Sequence, residues 1–129
     1  MALTEDDCSA YIEQIIWNGE PLCPYCGSAN STRIEKESRY HCNYCFTSYS
    51  VTVNTLFHHS HIKLTKWFKA IFLLIMSMHD ISSRRLAAEI GVTRNTALSM
   101  KKRIQSAKEH DIVQLEMIAN FYKRYADEQ

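Results

Sequence analysis

Residues 23–45 read CPYCGSANSTRIEKESRYHCNYC, so that Cys23-Pro24-Tyr25-Cys26 and Cys42-Asn43-Tyr44-Cys45 form two Cys-x-x-Cys pairs with fifteen residues between them. This spacing belongs to structural zinc sites. Zinc favours four soft ligands in a tetrahedron, and the tight turn inside each pair can aim two thiolates at one metal. Gly27, directly after the first pair, supplies the backbone freedom that such a turn often needs. Two other uses of the cysteines compete with this one. Disulfides are disfavoured where the compartment keeps thiols reduced, and a redox dithiol would need only one pair. The expected cofactor is therefore one structural Zn2+ held by Cys23, Cys26, Cys42 and Cys45, with no coordination position left open for catalysis. The metal would hold together a segment too small to bury a core of its own.

The flanking sequence sets the compartment and the class. Met1 to Asp7 is acidic and lacks the basic start, apolar stretch and cleavage site of a secretory signal, so a cytoplasmic, nucleoid-associated protein is expected. Trp67 to Met78 is the most apolar run, but Lys69 interrupts it and it falls well short of the ~20 residues of a membrane span. Neither a membrane nor a small-molecule substrate is expected as partner. With 46% apolar and 22% charged residues in 129, the chain has the composition of one ordinary folded domain or two very small ones. That length leaves little room for an elaborate catalytic scaffold.

Helical patterns bracket the cysteines. Residues 4–17 predict a helix with Thr4 as N-cap, Glu5, Asp6 and Asp7 in its first turn, an apolar face of Tyr11, Ile12, Ile15 and Ile16, and a stop at Asn18-Gly19. Cys8 reads as an unremarkable thiol of that helix. Between Pro21 and Asn54, β-prone runs at Thr32–Glu35 and Phe46–Val53 predict hairpins. Beyond Asn54, Leu64, Trp67, Phe68, Ile71, Ile75 and Met78 form one wide stripe of a helix over 64–79, followed by helices near 82–90 and 94–107. A last amphipathic segment, 110–126, carries Ile112, Leu115, Ala119, Tyr122 and Ala126 at alternating three- and four-residue spacing. His58, His59 and His61 have no cysteine or carboxylate at ligand spacing, so they read as solvated or hydrogen-bonding residues rather than a second metal site. The expected class is mainly α with a small β zinc ribbon, divided into an N-terminal helix (1–20), the ribbon (21–57), a trihelical helix-turn-helix (58–107) and a C-terminal helix (108–129).

Charge is unevenly spread along the chain. The net charge is only +1, yet residues 82–108 hold seven basic side chains against one acidic. A polyanion is expected to dock there. Within the block, Leu86, Ala87 and Ile90 give the first helix an inner face, Gly91 marks the sharp turn, and Thr93 can cap the second helix. Ala97, Met100 and Ile104 would be that helix's buried side. Arg84, Arg85, Thr93, Arg94, Asn95, Ser99, Lys102 and Arg103 are the candidate contacts to double-stranded DNA, with Arg94 and Asn95 placed to meet base edges. The competing reading is a solvated helical hairpin whose charges simply face water. Trp67 and Phe68 read as core, not as base-stacking surfaces.

Cys23-Pro-Tyr-Cys26-Gly-Ser, Tyr40-His-Cys42-Asn-Tyr-Cys45, Tyr49-Ser-Val-Thr-Val-Asn-Thr55-Leu-Phe57 and Leu64-Thr-Lys-Trp67 together resemble the N-terminal part of zinc-ribbon insertion-sequence transposases of bacteria. The similarity covers roughly residues 15–107. It implies a ribbon followed by a helix-turn-helix that recognises the element's terminal repeats. A counterpart of the family's RNase H-like domain, whose carboxylates hold two metal ions, is not expected in the residues after Lys108. Glu109, Asp111, Glu116, Asp127 and Glu128 lie in or just beyond one helical segment and do not form that site.

Three functional readings follow. The first is a non-enzymatic, sequence-specific DNA-binding protein of transposase descent, acting as a transcriptional regulator or a binder of transposon ends. The second is the DNA-recognition fragment or subunit of a transposase. The third is an adaptor that uses the ribbon and the acidic terminal helices to bind proteins. A homodimer through residues 108–126 is expected to suit inverted half-sites.

Overall fold

In the computed structural model, which describes residues 3–34, 39–53, 55–57, 60–77, 80–107 and 109–127, the chain divides into two units. One is Thr4–His61; the other is Ile62–Gln129 together with the residues before Thr4. His58, His59, Asn54, Met78, Lys108 and Glu128 lie outside the described residues.

The first unit starts at helix α1, Glu5–Trp17. Thr4 caps it as expected: its Oγ1 accepts from the Asp7 N–H at 3.1 Å while the Asp7 carboxylate accepts from the Thr4 N–H at 3.1 Å. This reciprocal pair satisfies two backbone donors that a helix start leaves unpaired, and three acidic residues in the first turn complement its dipole. Asn18 (φ 51°) and Gly19 (φ 83°) turn left-handed, and their N–H groups return to the Gln14 and Glu13 carbonyls. Of the expected apolar face, Ile12 is buried and Tyr11, Ile15 and Ile16 are half-buried. Cys8, the helix thiol outside the two pairs, is fully buried, as is Ile12 one turn on. Burial, and then the nearby Glu5 and Asp7 carboxylates, push its thiol up to about 12, so it stays protonated.

Three antiparallel strands follow, in the order β1 (Ser31–Ile34), β2 (Arg39–Cys42) and β3 (Ser48–Tyr49). β1 covers Thr32 to Ile34 of the expected run, whose last residue, Glu35, lies outside the described residues, whereas β2 falls where no strand was expected and β3 covers only two residues of the run 46–53. The period-two signal of β2 is nonetheless present: Tyr40 and Cys42 point inward, Arg39 and His41 are half-buried. Val51 to Val53 turn instead of extending, because Thr52 and its neighbours close local bonds, Val53 N–H to Ser50 O and Thr55 Oγ1 to Thr52 O.

The core of this unit is Cys23, Tyr40, Cys42 and Tyr49, with Trp17, Cys45 and Val53 packed around it. Tyr40 and Tyr49 are register partners and stack at 5.7 Å. Trp17 meets both edge-on, at 5.7 and 5.8 Å. Each such pair contributes about 0.5–1.5 kcal/mol beyond the area it buries. The Tyr40 hydroxyl donates to the Glu13 carboxylate and accepts from Arg33 Nη1 at 3.2 Å, and the Tyr49 hydroxyl donates to Ser31 Oγ at 2.7 Å. Helix α1 is thereby fixed to the sheet by both apolar and polar contacts.

The second unit is helical: α2 (Leu64–Met76), α3 (Ser83–Ile90), α4 (Arg94–Gln105) and α5 (Glu109–Asp127). α2 packs against all three others. It buries Trp67, Phe68, Ala70 and Ile71, in keeping with the reading of Trp67 and Phe68 as core. It ends at Met76, three residues short of the expected 79, because Ser77 turns extended (ψ 136°), and Ile75 at the trailing end of the stripe is exposed. α5 lies along α2 with Leu115, Ile118 and Ala119 buried. Its inner face is rotated from the expected stripe: Ile112 is 42% exposed and Ala126 is exposed, whereas Ile118 is inside. The cause is aromatic pairing across the two helices, Phe68 with Phe121 at 5.9 Å and Phe72 with Tyr122 at 5.1 Å, which fixes the roll of α5. Among the described residues no helix is long and apolar enough to cross a membrane.

Candidate metal centre and nucleic-acid interface

The two cysteine pairs sit in matching turns. In the first, the Gly27 N–H donates to Cys23 O at 2.9 Å and the Cys23 N–H to Ser28 O at 3.0 Å; in the second, Phe46 donates to Cys42 O at 2.9 Å and Cys42 to Thr47 O at 3.0 Å. Each turn closes on a left-handed residue, Gly27 at φ 79° and Phe46 at φ 64°. Glycine takes this conformation without strain, while phenylalanine carries a cost of about 1–2 kcal/mol. The β1–β2 ladder pairs Ser31 with Cys42, and Asn43 is tied to Asn30 through both backbone and side chain, so the second turn is brought up to the first.

The four sulfurs lie within 4.8 Å of one another, with Cys23 Sγ to Cys45 Sγ at 3.7 Å and Cys26 Sγ to Cys42 Sγ at 3.5 Å. A tetrahedron with Zn–S bonds of ~2.3 Å has edges of roughly 3.8 Å. The donor set therefore fits one zinc ion, and all five cysteines are free of disulfides. The local field supports thiolates unevenly. Backbone N–H groups, first that of Cys45, hold the Cys42 thiol below the usual range, and the Thr47 hydroxyl and N–H lower Cys45 to about 6. At Cys26 the Ser28 N–H favours the thiolate, but desolvation and hydrogen bonds shared with the other three sulfurs together raise it to about 12. Zinc binding takes all four as thiolates, so Cys26 would give up its proton on binding, and the cation would offset the repulsion among the sulfurs. The ribbon is thus able to bind one zinc ion, and His61, exposed, takes no part in the cluster.

The tips of the turns carry aromatic side chains that the sequence reading left unassigned. Tyr25, Tyr44 and Phe46 are all exposed, Tyr44 by 73% and Phe46 by 75%. The signal was legible in part, since a residue between paired ligands on a tight turn has little protein to pack against.

In the helical unit, the block rich in basic residues folds as two helices joined by three residues. Ser82 Oγ caps α3 by accepting from the Arg85 N–H at 3.2 Å. Gly91 (φ 74°) ends it, its N–H and that of Val92 both returning to the Ala87 carbonyl, and Thr93 Oγ1 caps α4 by accepting from the Thr96 N–H at 3.2 Å. Two lysines from neighbouring helices hold this arrangement. Lys66 Nζ of α2 donates to Gly91 O at 2.9 Å, and Lys101 Nζ of α4 donates to Ile81 O at 2.7 Å and pairs with Asp80 at 3.1 Å. Neither role was visible in the sequence, where Lys101 counted simply as part of the basic block.

Leu86, Ala87 and Ile90 of α3 and Ala97, Met100 and Ile104 of α4 are buried, as the register predicted. Arg84, Arg85, Thr93, Arg94, Asn95, Ser99, Lys102 and Arg103 are all exposed. Arg84, Arg85, Arg94 and Lys102 make no ion pair among the described residues. The Thr93 hydroxyl is engaged by its cap and donates to Thr96 Oγ1 at 2.8 Å, so its proton is already committed within the helix. The arrangement is an exposed cationic helix face whose opposite, apolar side is buried within its own unit.

Comparison with known proteins agrees with the ribbon. The chain is 30% identical over 108 residues to an uncharacterized protein in transposable element ISH50 of Halobacterium salinarum (strain ATCC 700922 / JCM 11081 / NRC-1). The match covers 81% of this chain and 36% of that protein, so the chain spans about a third of its relative's length. No solved structure matches the chain. The family model described as the transposase zinc-ribbon domain matches residues 3–48, which take in α1, both cysteine pairs, β1, β2 and the first residue of β3, so this part of the chain is similar to the zinc ribbons of transposases.

Proposed function

We propose that the chain binds double-stranded DNA sequence-specifically, with α3 and α4 acting as a helix-turn-helix and the N-terminal half of α4 entering the major groove. The observation that carries this reading is the exposed face of Arg94, Asn95, Ser99, Lys102 and Arg103 on α4, opposite a complete buried register, with Arg84 and Arg85 of α3 exposed as well. Guanidinium and amide groups match guanine and adenine edges, and the remaining cations match phosphates. The transposase-type ribbon at residues 3–48 supports a role at the ends of a transposable element or at a promoter derived from one. In this reading the zinc ion is structural and the chain contributes recognition rather than chemistry, working on DNA in the cytoplasm.

Selection of bound sequences from random duplexes, using the zinc-loaded protein, tests the proposal. Enrichment of a defined motif is expected; recovery of the unselected pool would overturn it. The relative's greater length favours a second reading, in which this DNA reader operates with catalytic machinery of a transposase. Its test is co-purification with an RNase H-like protein encoded beside it and strand transfer by the mixture. A dimer through α5 would use the exposed Ile112, Val113 and Met117, because Leu115 and Ala119 are covered by α2 within one chain.

A further inference from the structure

Leu98 breaks the pattern of α4. The helix hides Ala97, Met100 and Ile104 on one side, and the described residues opposite are polar except Leu98, which is 39% exposed. It stands four residues after Arg94, three after Asn95 and four before Lys102, all exposed, so successive turns place it among the side chains proposed to face DNA. The core does not need it, since the buried register is complete without a residue at this position. A part-exposed leucine among cations and an amide on the same helix face gains nothing from water.

The major groove contains one apolar feature, the 5-methyl group of thymine, and apolar side chains read it by contact. A residue in the second turn of a groove-entering helix is within reach of base edges. We propose that Leu98 is a specificity-determining residue that packs on a thymine 5-methyl group, next to the bases met by Arg94 and Asn95. This assignment rests on the DNA-binding reading above. Burying one methyl group against the leucine is worth roughly a four-fold change in affinity, the equivalent of about 0.8 kcal/mol.

The test replaces each thymine of the selected duplex singly by deoxyuridine, which removes the methyl group and leaves the hydrogen-bonding edge intact. Dissociation constants are then measured for the wild type, Leu98→Ala and Leu98→Met. In the wild type, at least one thymine of the site should lose three- to ten-fold in affinity on demethylation. Leu98→Ala should bind both duplexes alike, and Leu98→Met, which keeps an apolar side chain of similar length, should retain most of the discrimination. Thermal melting of each variant shows that the helix is intact, as expected for a part-exposed position changed to a good helix former. A selected site at which no thymine is methyl-sensitive, or at which the sensitivity persists in Leu98→Ala, overturns the assignment of Leu98 alone. Absence of any sequence preference in the wild type removes the DNA-binding reading and this assignment together.

Discussion

Replacing Lys101 and Lys102 one at a time by alanine separates two effects that sit side by side in the chain. Lys102 is exposed on the outer face of α4, whereas the Lys101 side chain is only 13% exposed and bonded to the Ile81 carbonyl at 2.7 Å. If Arg94 is spent on a base edge, Arg84, Arg85, Lys102 and Arg103 remain for phosphates. At ~0.9 per neutralised phosphate, log K against log salt should then slope at about −3.6 for the wild type, a loss of roughly 150-fold between 50 and 200 mM salt. Lys102→Ala should flatten the slope by about 0.9 and leave the unfolding midpoint in urea unchanged. Lys101→Ala should leave the slope alone and destabilise the helical unit by about 2 kcal/mol, most of it from the charge-assisted bond to Ile81. The pair with Asp80 adds little, because that carboxylate is 75% exposed. Fluorescence anisotropy on a duplex over a salt series, with urea denaturation alongside, reads both quantities. Equal flattening by the two variants would show that Lys101 is not committed internally and would undo the partition of charges described above.

Four further outcomes are expected. Chelation of zinc should abolish the near-ultraviolet signal of the Trp17–Tyr40–Tyr49 cluster while most helical ellipticity persists, since four of the five helices lie in the other unit. Phe46→Gly should match or raise the stability of the zinc-loaded ribbon by up to about 1 kcal/mol, whereas Gly27→Ala should lower it by about 1 kcal/mol, both read from chemical denaturation. Trp67→Ala, at a fully buried position of α2, should cost about 3–5 kcal/mol by the same measurement. Cys8 has a folded-state pKa raised from 9.0 to about 12, so its contribution to stability is intact below pH 9 and is lost as pH rises from there to 12. Cys8→Ala should therefore show a shallower fall in stability over that window than the wild type.

What the sequence made legible was local chemistry. The cysteine spacing gave the metal ligands, and Thr4, Thr93, Asn18-Gly19 and Gly91 gave the helix boundaries, because caps and left-handed turns depend on neighbours within four residues. Strand β2 escaped because its alternation spans only Arg39–Cys42 and its last residue also opens the second cysteine turn. The roll of α5 escaped because it depends on which aromatics of α2 it meets, not on its own spacing. Lys66 and Lys101 escaped for the same reason: a lysine that clips a distant carbonyl looks like any solvated lysine until the chain is folded. At the proposed interface, register predicted which side of α4 is buried, yet Leu98 was passed over because an exposed leucine has no signature of its own.

Amide chemical-shift mapping of the zinc-loaded protein, titrated with its selected duplex, bears on the DNA interface without any substitution. The largest changes should fall on residues 84–85 and 93–103, strongest at Arg94, Asn95 and Leu98, with Ala97 and Met100 moving less. Changes concentrated on the cysteine turns or on α5, with residues 94–103 unmoved at saturation, would contradict a cationic α4 face as the surface that meets DNA.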